Sequence, residues 1–127
     1  MTRVLVVHHD LDLADQEADS LRRMGYEPVE CAGPSAAPCP VLRGEECADV
    51  AMADVLVYDA FSTAQPDGGQ MLFDNLLRMY PDKPIVVQSL GMELDWTAAE
   101  EHGKVVALTG APTAERLDTA IREVLAR

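Results

Sequence analysis

Five short apolar runs alternate with longer segments in which apolar and polar residues recur with a helical period. Most of the runs are continuous and rich in β-branched residues, which predicts buried strands at 4–7, 27–31, 54–59, 83–89 and 104–110. Pro28 indicates that the second strand lies at an edge of the sheet, because proline cannot donate a ladder hydrogen bond.

Four segments have the period of an amphipathic helix, and the first covers 11–27 and is expected to stop at Gly25. Its predicted buried face consists of Leu11, Ala14, Ala18 and Leu21. Its predicted exposed face consists of Asp12, Asp15, Glu17 and Asp19. The second segment covers 70–80, the third is acidic and covers 92–103, and the fourth follows the predicted N-cap residue Thr113. The predicted buried stripe of this last helix consists of Leu117, Ala120, Ile121, Val124 and Leu125.

Strands that alternate with helices imply a parallel sheet with helices on both faces, and we expect a single α/β domain spanning 1–127. One connection breaks the alternation. The segment 32–53 holds three of the eight prolines and two of the three cysteines. It predicts an irregular connection in place of a regular helix, with a short helix only at 47–53.

The charge of the chain narrows the possible partners. Ten basic residues stand against 22 acidic ones, a formal net charge of −12. Nucleic-acid binding draws on Lys and Arg to neutralise phosphates, so we expect no nucleic-acid partner. No apolar run approaches the roughly 20 residues that span a bilayer, and no signal-peptide pattern precedes the first strand. We therefore expect a cytoplasmic protein without membrane contact, whose cysteines are reduced thiols.

Polar residues follow the predicted strands at the points where a parallel sheet of this kind places its site. They are His8, His9, Asp10, Asp59, Ser89, Thr109 and Gly110. Among them we find no nucleophile paired with a base, and the chain has no nucleotide-binding glycine fingerprint, so we do not expect an enzyme.

In this arrangement the chain resembles the receiver domain of two-component response regulators over nearly all of its length. The resemblance implies a flavodoxin-like sheet of five parallel strands in the order 2-1-3-4-5. In that family the first strand ends in two aspartates that hold Mg²⁺, and the third ends in the aspartate that accepts a phosphoryl group. The fourth strand ends in Thr or Ser, and the fifth in a Lys that is usually followed by a cis proline.

The resemblance makes Asp59 the candidate phosphoacceptor and Ser89 the candidate switch hydroxyl. It also places His8 and His9 where the family has its acid pair, and Gly110 where the family has its lysine. Mg²⁺ prefers oxygen ligands, so an imidazole pair is a poor substitute for two carboxylates. Asp10 reaches the metal only if the loop is displaced by about one residue.

The leading interpretation is a stand-alone receiver-like module with a degenerate phosphorylation site, a pseudo-receiver that acts by binding a protein. The partner would be a kinase or an output protein, and a homodimer could form through the predicted helix at 92–103, which contains Trp96, and the last helix. The alternative is a working response regulator of a phosphorelay, phosphorylated on Asp59, with Mg²⁺ as its cofactor and Asp10 recruited to the metal. The sequence makes no other cofactor certain.

Two further hypotheses use the unusual residues directly. His8 and His9 could hold a transition metal with Asp59, provided that a bend after His8 brings both rings to one side. Alternatively, a protonated His8 could replace the missing cation. Cys31, Cys39 and Cys47 recur every eight residues and could bind metal, form a disulfide that senses redox state, or only pack the irregular segment against the sheet.

Overall fold

The computed structural model describes residues 1–33, 38–60, 68–89, 104–108 and 110–127. Five strands form one parallel sheet in the order β2-β1-β3-β4-β5, as the resemblance implied. The strands are β1 Arg3–Val7, β2 Glu27–Cys31, β3 Val55–Asp59, β4 Ile85–Gln88 and β5 Val105–Leu108. The strand that contains Pro28 is at an edge, which confirms that prediction.

Four helices accompany these strands in the described part of the chain. They are α1 Leu11–Arg23, α2 Ala48–Met52, α3 Gly68–Met79 and α4 Ala114–Leu125. Thr113 is the N-cap of α4, as predicted, and its hydroxyl accepts a hydrogen bond from the backbone of Arg116. The helix predicted at 92–103, with Trp96, and the residue Thr109 lie outside the described residues.

The two faces of the sheet bury different helices. Leu5 and Val7 of β1 point into a core shared with α2 and α3, whereas Val4 and Val6 point into a core shared with α1 and α4. This alternation follows from the pleat, which sends successive side chains to opposite faces. Helices therefore cover both faces, which confirms the predicted architecture.

Two predictions about α1 were wrong. Leu11 is 60% exposed, because it is the first helical residue and lies beyond the end of the sheet. Glu17, predicted to face solvent, is only 5% exposed, and its carboxyl group meets the side chain of Gln88 at the end of β4. The end of the helix agrees with the prediction, since Gly25 follows it with a φ of +93°.

The last helix differs from its prediction only at its end. Leu125 is 40% exposed, whereas the other four residues of the predicted stripe are buried. No helix in the described part of the chain combines the length and the apolar character that crossing a bilayer requires.

In its described part, the irregular connection contains a turn of 3-10 helix at Val41–Arg43 before α2. Cys31, Cys39 and Cys47 are free thiols, each half-buried and packed against the core on the α2 and α3 side. Burial raises the pKa of the Cys31 thiol, which disfavours the reactive thiolate. The three thiols thus make the packing contacts that the sequence raised as one of its three possibilities.

Candidate functional site

Asp59 is the last residue of β3 and is completely buried. Within the sheet it is paired in register with Gln88, so both side chains lie at the carboxyl edge, where the sequence placed the site. Val55 and Val57 belong to the core beneath α1 and α4, and the period of two places Asp59 on that same face. Its Oδ2 atom accepts a hydrogen bond from Nδ1 of His9 at 2.7 Å.

His8 and His9 converge on Asp59 because the chain bends directly after β1. The backbone N–H of His8 still donates to the carbonyl of Cys31, which extends the pairing with β2 by one residue. Beyond that point the two rings stack with their centroids 5.3 Å apart. The Nδ1 atom of His8 lies 3.6 Å from Asp59 Oδ2, so both histidines face the same carboxylate oxygen. The bend that the metal hypothesis required is therefore present.

The hydrogen bonds of His8 define its protonation. The backbone N–H of Asp10 donates to His8 Nδ1 at 3.0 Å, so this nitrogen carries a lone pair and the proton of the neutral ring is on Nε2. Burial lowers the pKa of His8, against the opposing effect of the Asp59 charge. His8 is only 2% exposed. This geometry favours a neutral imidazole and does not support His8 as the missing cation.

The carboxyl group of Asp10 starts a helix instead of joining the site. Its Oδ1 atom accepts hydrogen bonds from the backbone N–H groups of Asp12 at 3.0 Å and Leu13 at 3.2 Å. Asp10 is thus the N-cap of α1, a role that a short acidic residue before a helical segment signals in the sequence. Among the described residues, the group able to hold a metal is His8, His9 and Asp59.

Ser89 and Gly110 lie just beyond the ends of β4 and β5. Ser89 follows β4 directly and is 3% exposed, so the candidate hydroxyl is buried at the same edge as Asp59. Gly110 has a φ of +82°, and a Cβ atom there would lie 2.6 Å from Nη1 of Arg116. A lysine in this conformation would strain the backbone and displace the guanidinium group. The left-handed backbone is what favours glycine here, since the guanidinium group ends a flexible side chain.

A buried polar pair, Glu17 and Gln88, lies beside this site, and the sequence did not predict it. The side-chain amide of Gln88 donates to Oε1 of Glu17, while Glu17 Oε2 and Gln88 Oε1 are buried without a hydrogen-bond partner among the described residues. Burial raises the pKa of Glu17 to about 7; the hydrogen bond from Gln88 opposes this rise and the charge of Asp59 adds to it. The sequence signal was the position of Glu17, three residues after Ala14 and four before Leu21, on the buried stripe of α1.

A cavity of about 240 Å³ lies between α1 and the connection from β5 to α4. His8 and, from α1, Glu17 contribute to its wall, and Pro112 and Thr113 contribute from the connection. One residue beside Asp59 and one of the Glu17–Gln88 pair therefore border the same cavity.

Magnesium does not fit the donor set at this edge. The three converging atoms are two imidazole nitrogens and one carboxylate oxygen, whereas Mg²⁺ takes octahedral oxygen ligands. The carboxyl group of Asp10, the further acid considered in the sequence, caps α1.

Solved structures show which known fold this chain resembles. One is a receiver domain protein from Methanospirillum hungatei, with 19% identity and a TM-score of 0.71, and the match covers 99% of this chain and 94% of that one. Another is a receiver domain protein from Clostridium thermocellum, with 17% identity, a TM-score of 0.73 and coverage of 100% and 96%. A response regulator from Thermotoga maritima has 16% identity, a TM-score of 0.70 and coverage of 100% and 99%.

The chain therefore has the flavodoxin-like fold of response-regulator receiver domains. No protein-family model matches the sequence, and no curated protein matches it. Structural likeness at these identities establishes the fold, and the residues of the site carry the argument about function.

Proposed function

We propose that this chain is a receiver-like signalling module that acts by binding a protein partner, and that its site does not support efficient Mg²⁺-dependent phosphorylation. The observation that carries the proposal is the hydrogen bond from His9 Nδ1 to Asp59 Oδ2 at 2.7 Å. An imidazole, in a position where the family has an acid, thus occupies an oxygen of the candidate phosphoacceptor.

Electrostatics supports the same proposal. Phosphoryl transfer to a carboxylate needs positive charge around the transferring group. Here His8 is neutral by its hydrogen bonding, and Gly110 stands where the family has a lysine. Among the described residues, the site therefore offers neither the set of oxygen ligands that would bind Mg²⁺ nor the second cation that would stabilise a phosphorylated state.

A working receiver is the second candidate function. It is favoured by Asp59 and Ser89, which keep the positions of the phosphoacceptor and the hydroxyl at the ends of neighbouring strands. It would require a cation site built from residues other than the family's acid pair. The two candidates differ in one measurable property, which is the formation of an aspartyl phosphate.

For the partner surface we propose the outer side of α4, used by a kinase, by an output protein or by a second copy of the chain. Its exposed residues include Arg116, Arg122 and Glu123, so the surface carries both signs of charge. The strongly acidic chain as a whole would associate fastest with a partner that presents a basic face.

Intact-mass analysis after incubation with acetyl phosphate and Mg²⁺ tests the proposal. We expect no phosphoryl adduct on the wild-type chain, and we expect an adduct on the double variant His8→Asp/His9→Asp, which restores the family's acid pair. Adding Asp59→Asn to the double variant should abolish that adduct. Circular dichroism of every variant confirms that the fold is intact.

An adduct on the wild-type chain that disappears with Asp59→Asn alone would overturn the proposal and make the chain a working receiver. An adduct that survives Asp59→Asn lies on another residue, and it would leave the assignment of an unphosphorylated Asp59 standing.

A further inference from the structure

Three potential ligand atoms from two neighbouring strands converge at the site. One ring nitrogen of His8, one of His9 and a carboxylate oxygen of Asp59 all lie within 4.8 Å of one another. The histidines follow β1 and the aspartate ends β3, and the two strands are paired directly, with Val7 opposite Tyr58. The sheet therefore holds the donors in place before any ligand arrives.

One of these contacts brings two electron-rich atoms together. His8 Nδ1 accepts a hydrogen bond from the Asp10 backbone, so it has no proton to offer to Asp59. The Nδ1 atom nevertheless lies 3.6 Å from Asp59 Oδ2, and the two side chains are only 2% and 0% exposed. Acceptors that face each other away from water repel, and a cation between them would remove that cost.

The distances suit a small tetrahedral ion. Zinc takes imidazole nitrogen and carboxylate oxygen at about 2.0–2.2 Å, so its ligand atoms lie about 3.4 Å apart. The His8–Asp59 separation of 3.6 Å is already close to that value. The His9–Asp59 separation of 2.7 Å would have to widen, and His9 can withdraw because its side chain is 32% exposed.

We propose that His8, His9 and Asp59 form a binding site for a transition-metal cation of the zinc type, with the fourth position left to water. Two nitrogens and one oxygen are a donor set for Zn²⁺, Ni²⁺ or Cu²⁺ and a poor one for Mg²⁺. The ion occupies the place of the proton between His9 and Asp59, and this proton moves to the other nitrogen of the His9 ring.

Ion binding is coupled to the start of α1. Ligation at His8 Nδ1 displaces the backbone N–H of Asp10, which is the N-cap residue of that helix. The ion would also use the Asp59 oxygen that phosphorylation requires. The site thus offers a signal input other than phosphate, and it goes beyond the proposed function without depending on it.

Isothermal titration calorimetry of the metal-free, full-length chain with Zn²⁺ tests the inference, and Mg²⁺ is titrated in parallel. We expect one Zn²⁺ per chain and no measurable Mg²⁺ binding. His9→Asn and Asp59→Asn should each weaken Zn²⁺ binding by roughly tenfold or more. Co²⁺ in place of Zn²⁺ should give the intense visible absorption of a tetrahedral ion, and this absorption should be lost in both variants.

Matched controls separate this site from other donors in the chain. His102→Asn removes the third histidine, and the triple variant Cys31→Ser/Cys39→Ser/Cys47→Ser removes every thiol. Both controls should bind Zn²⁺ as the wild type does. The inference is wrong if His9→Asn and Asp59→Asn leave the affinity unchanged, if the controls abolish binding, or if the chain binds no Zn²⁺. The calorimetry answers this question whether or not Asp59 accepts a phosphoryl group.

Discussion

Two acidic side chains are buried at the same edge of the sheet, and their surroundings differ. Asp59 accepts a hydrogen bond from the His9 ring, and the His8 ring lies 3.6 Å away. Glu17 has one amide donor, from Gln88, and in the described part of the chain its second oxygen has no hydrogen-bond partner. Asp59 lies among imidazole rings that can hydrogen-bond a carboxylate or ligate a cation. Glu17 lies where burial makes ionisation costly.

The comparison shows what the Glu17–Gln88 pair requires for its hydrogen bonding. Glu17 Oε2 and Gln88 Oε1 are both acceptors when the acid is ionised, so neither can satisfy the other. A proton on Glu17 converts one acceptor into a donor and allows an acid–amide pair with two hydrogen bonds. The pKa of about 7 agrees with this, because it keeps Glu17 largely protonated below neutral pH.

The largest expected effect comes from replacing Glu17 with its neutral isostere. Glu17→Gln should raise the free energy of unfolding by up to about 3 kcal/mol at about pH 8 and change it little at about pH 5. The reason is that glutamine cannot ionise, and its N–H can donate to Gln88 Oε1. Urea denaturation of both proteins at the two pH values measures the difference.

The sign follows from the direction of the shift. The pKa of Glu17 is raised in the folded state, so folding favours the protonated acid. Wild-type stability from this group is complete below the pKa of the unfolded chain, falls as pH rises to about 7, and is constant above that. Glu115→Gln is the matched control, since Glu115 lies in the first turn of α4. A stabilisation that is equal at both pH values would contradict the assignment.

The next largest effect concerns the stability of the His9–Asp59 pair. A double-mutant cycle of His9→Ala and Asp59→Asn should give a coupling energy of about 1–2 kcal/mol, because a buried carboxylate accepts the imidazole hydrogen bond. Thermal or urea unfolding of the wild type, both single variants and the double variant supplies the four energies.

An exposed ion pair provides the comparison for this cycle. Asp19 and Arg22 of α1 lie 2.9 Å apart, with side chains 69% and 54% exposed. The cycle of Asp19→Ala and Arg22→Ala should give a coupling below about 0.5 kcal/mol, because solvent screens the pair. If the His9–Asp59 coupling is no larger, the bond at 2.7 Å does not hold the site together.

The two pairs also differ in how far the sequence could predict them. Apolar runs that end in Asp59 and Ser89 located the strand ends, because buried parallel strands are recognisable from local composition. Glu17 was assigned to the exposed face because it is acidic, although its spacing from Ala14 and Leu21 places it on the buried stripe. Gln88 is 71 residues away in sequence, so only the folded sheet brings it to Glu17.

Leu11 and the pair His8 and His9 show the same limit, since their surroundings depend on the folded sheet. The exposure of Leu11 depends on where α1 passes the end of the sheet, which its periodicity does not encode. The convergence of His8 and His9 depends on β1 ending at Val7, since two residues within a strand would point to opposite faces. Asp10, in contrast, carried a capping signal that the sequence offers locally.

The smallest expected effect is electrostatic: the charge of Asp59 acts on the pKa of Glu17 and of His8. Asp59→Asn should lower the pKa of Glu17, because the negative charge of Asp59 disfavours a second carboxylate nearby. It should also lower the pKa of His8, because the same charge favours the protonated ring. Carboxyl and imidazole chemical shifts, followed by NMR against pH, measure both groups in one sample.

The control for this last prediction is Asp118→Asn, which removes one charge from α4, where Asp118 accepts a hydrogen bond from Tyr26. It should leave the pKa of Glu17 and His8 unchanged, because Asp118 is not among the charges that act on either group. If both variants shift the pKa of Glu17 and His8 equally, the net charge of the chain acts on these groups and Asp59 has no special role. Shifts confined to Asp59→Asn would make Asp59 the common electrostatic neighbour, so that an ion bound to it would be sensed at Glu17 as well.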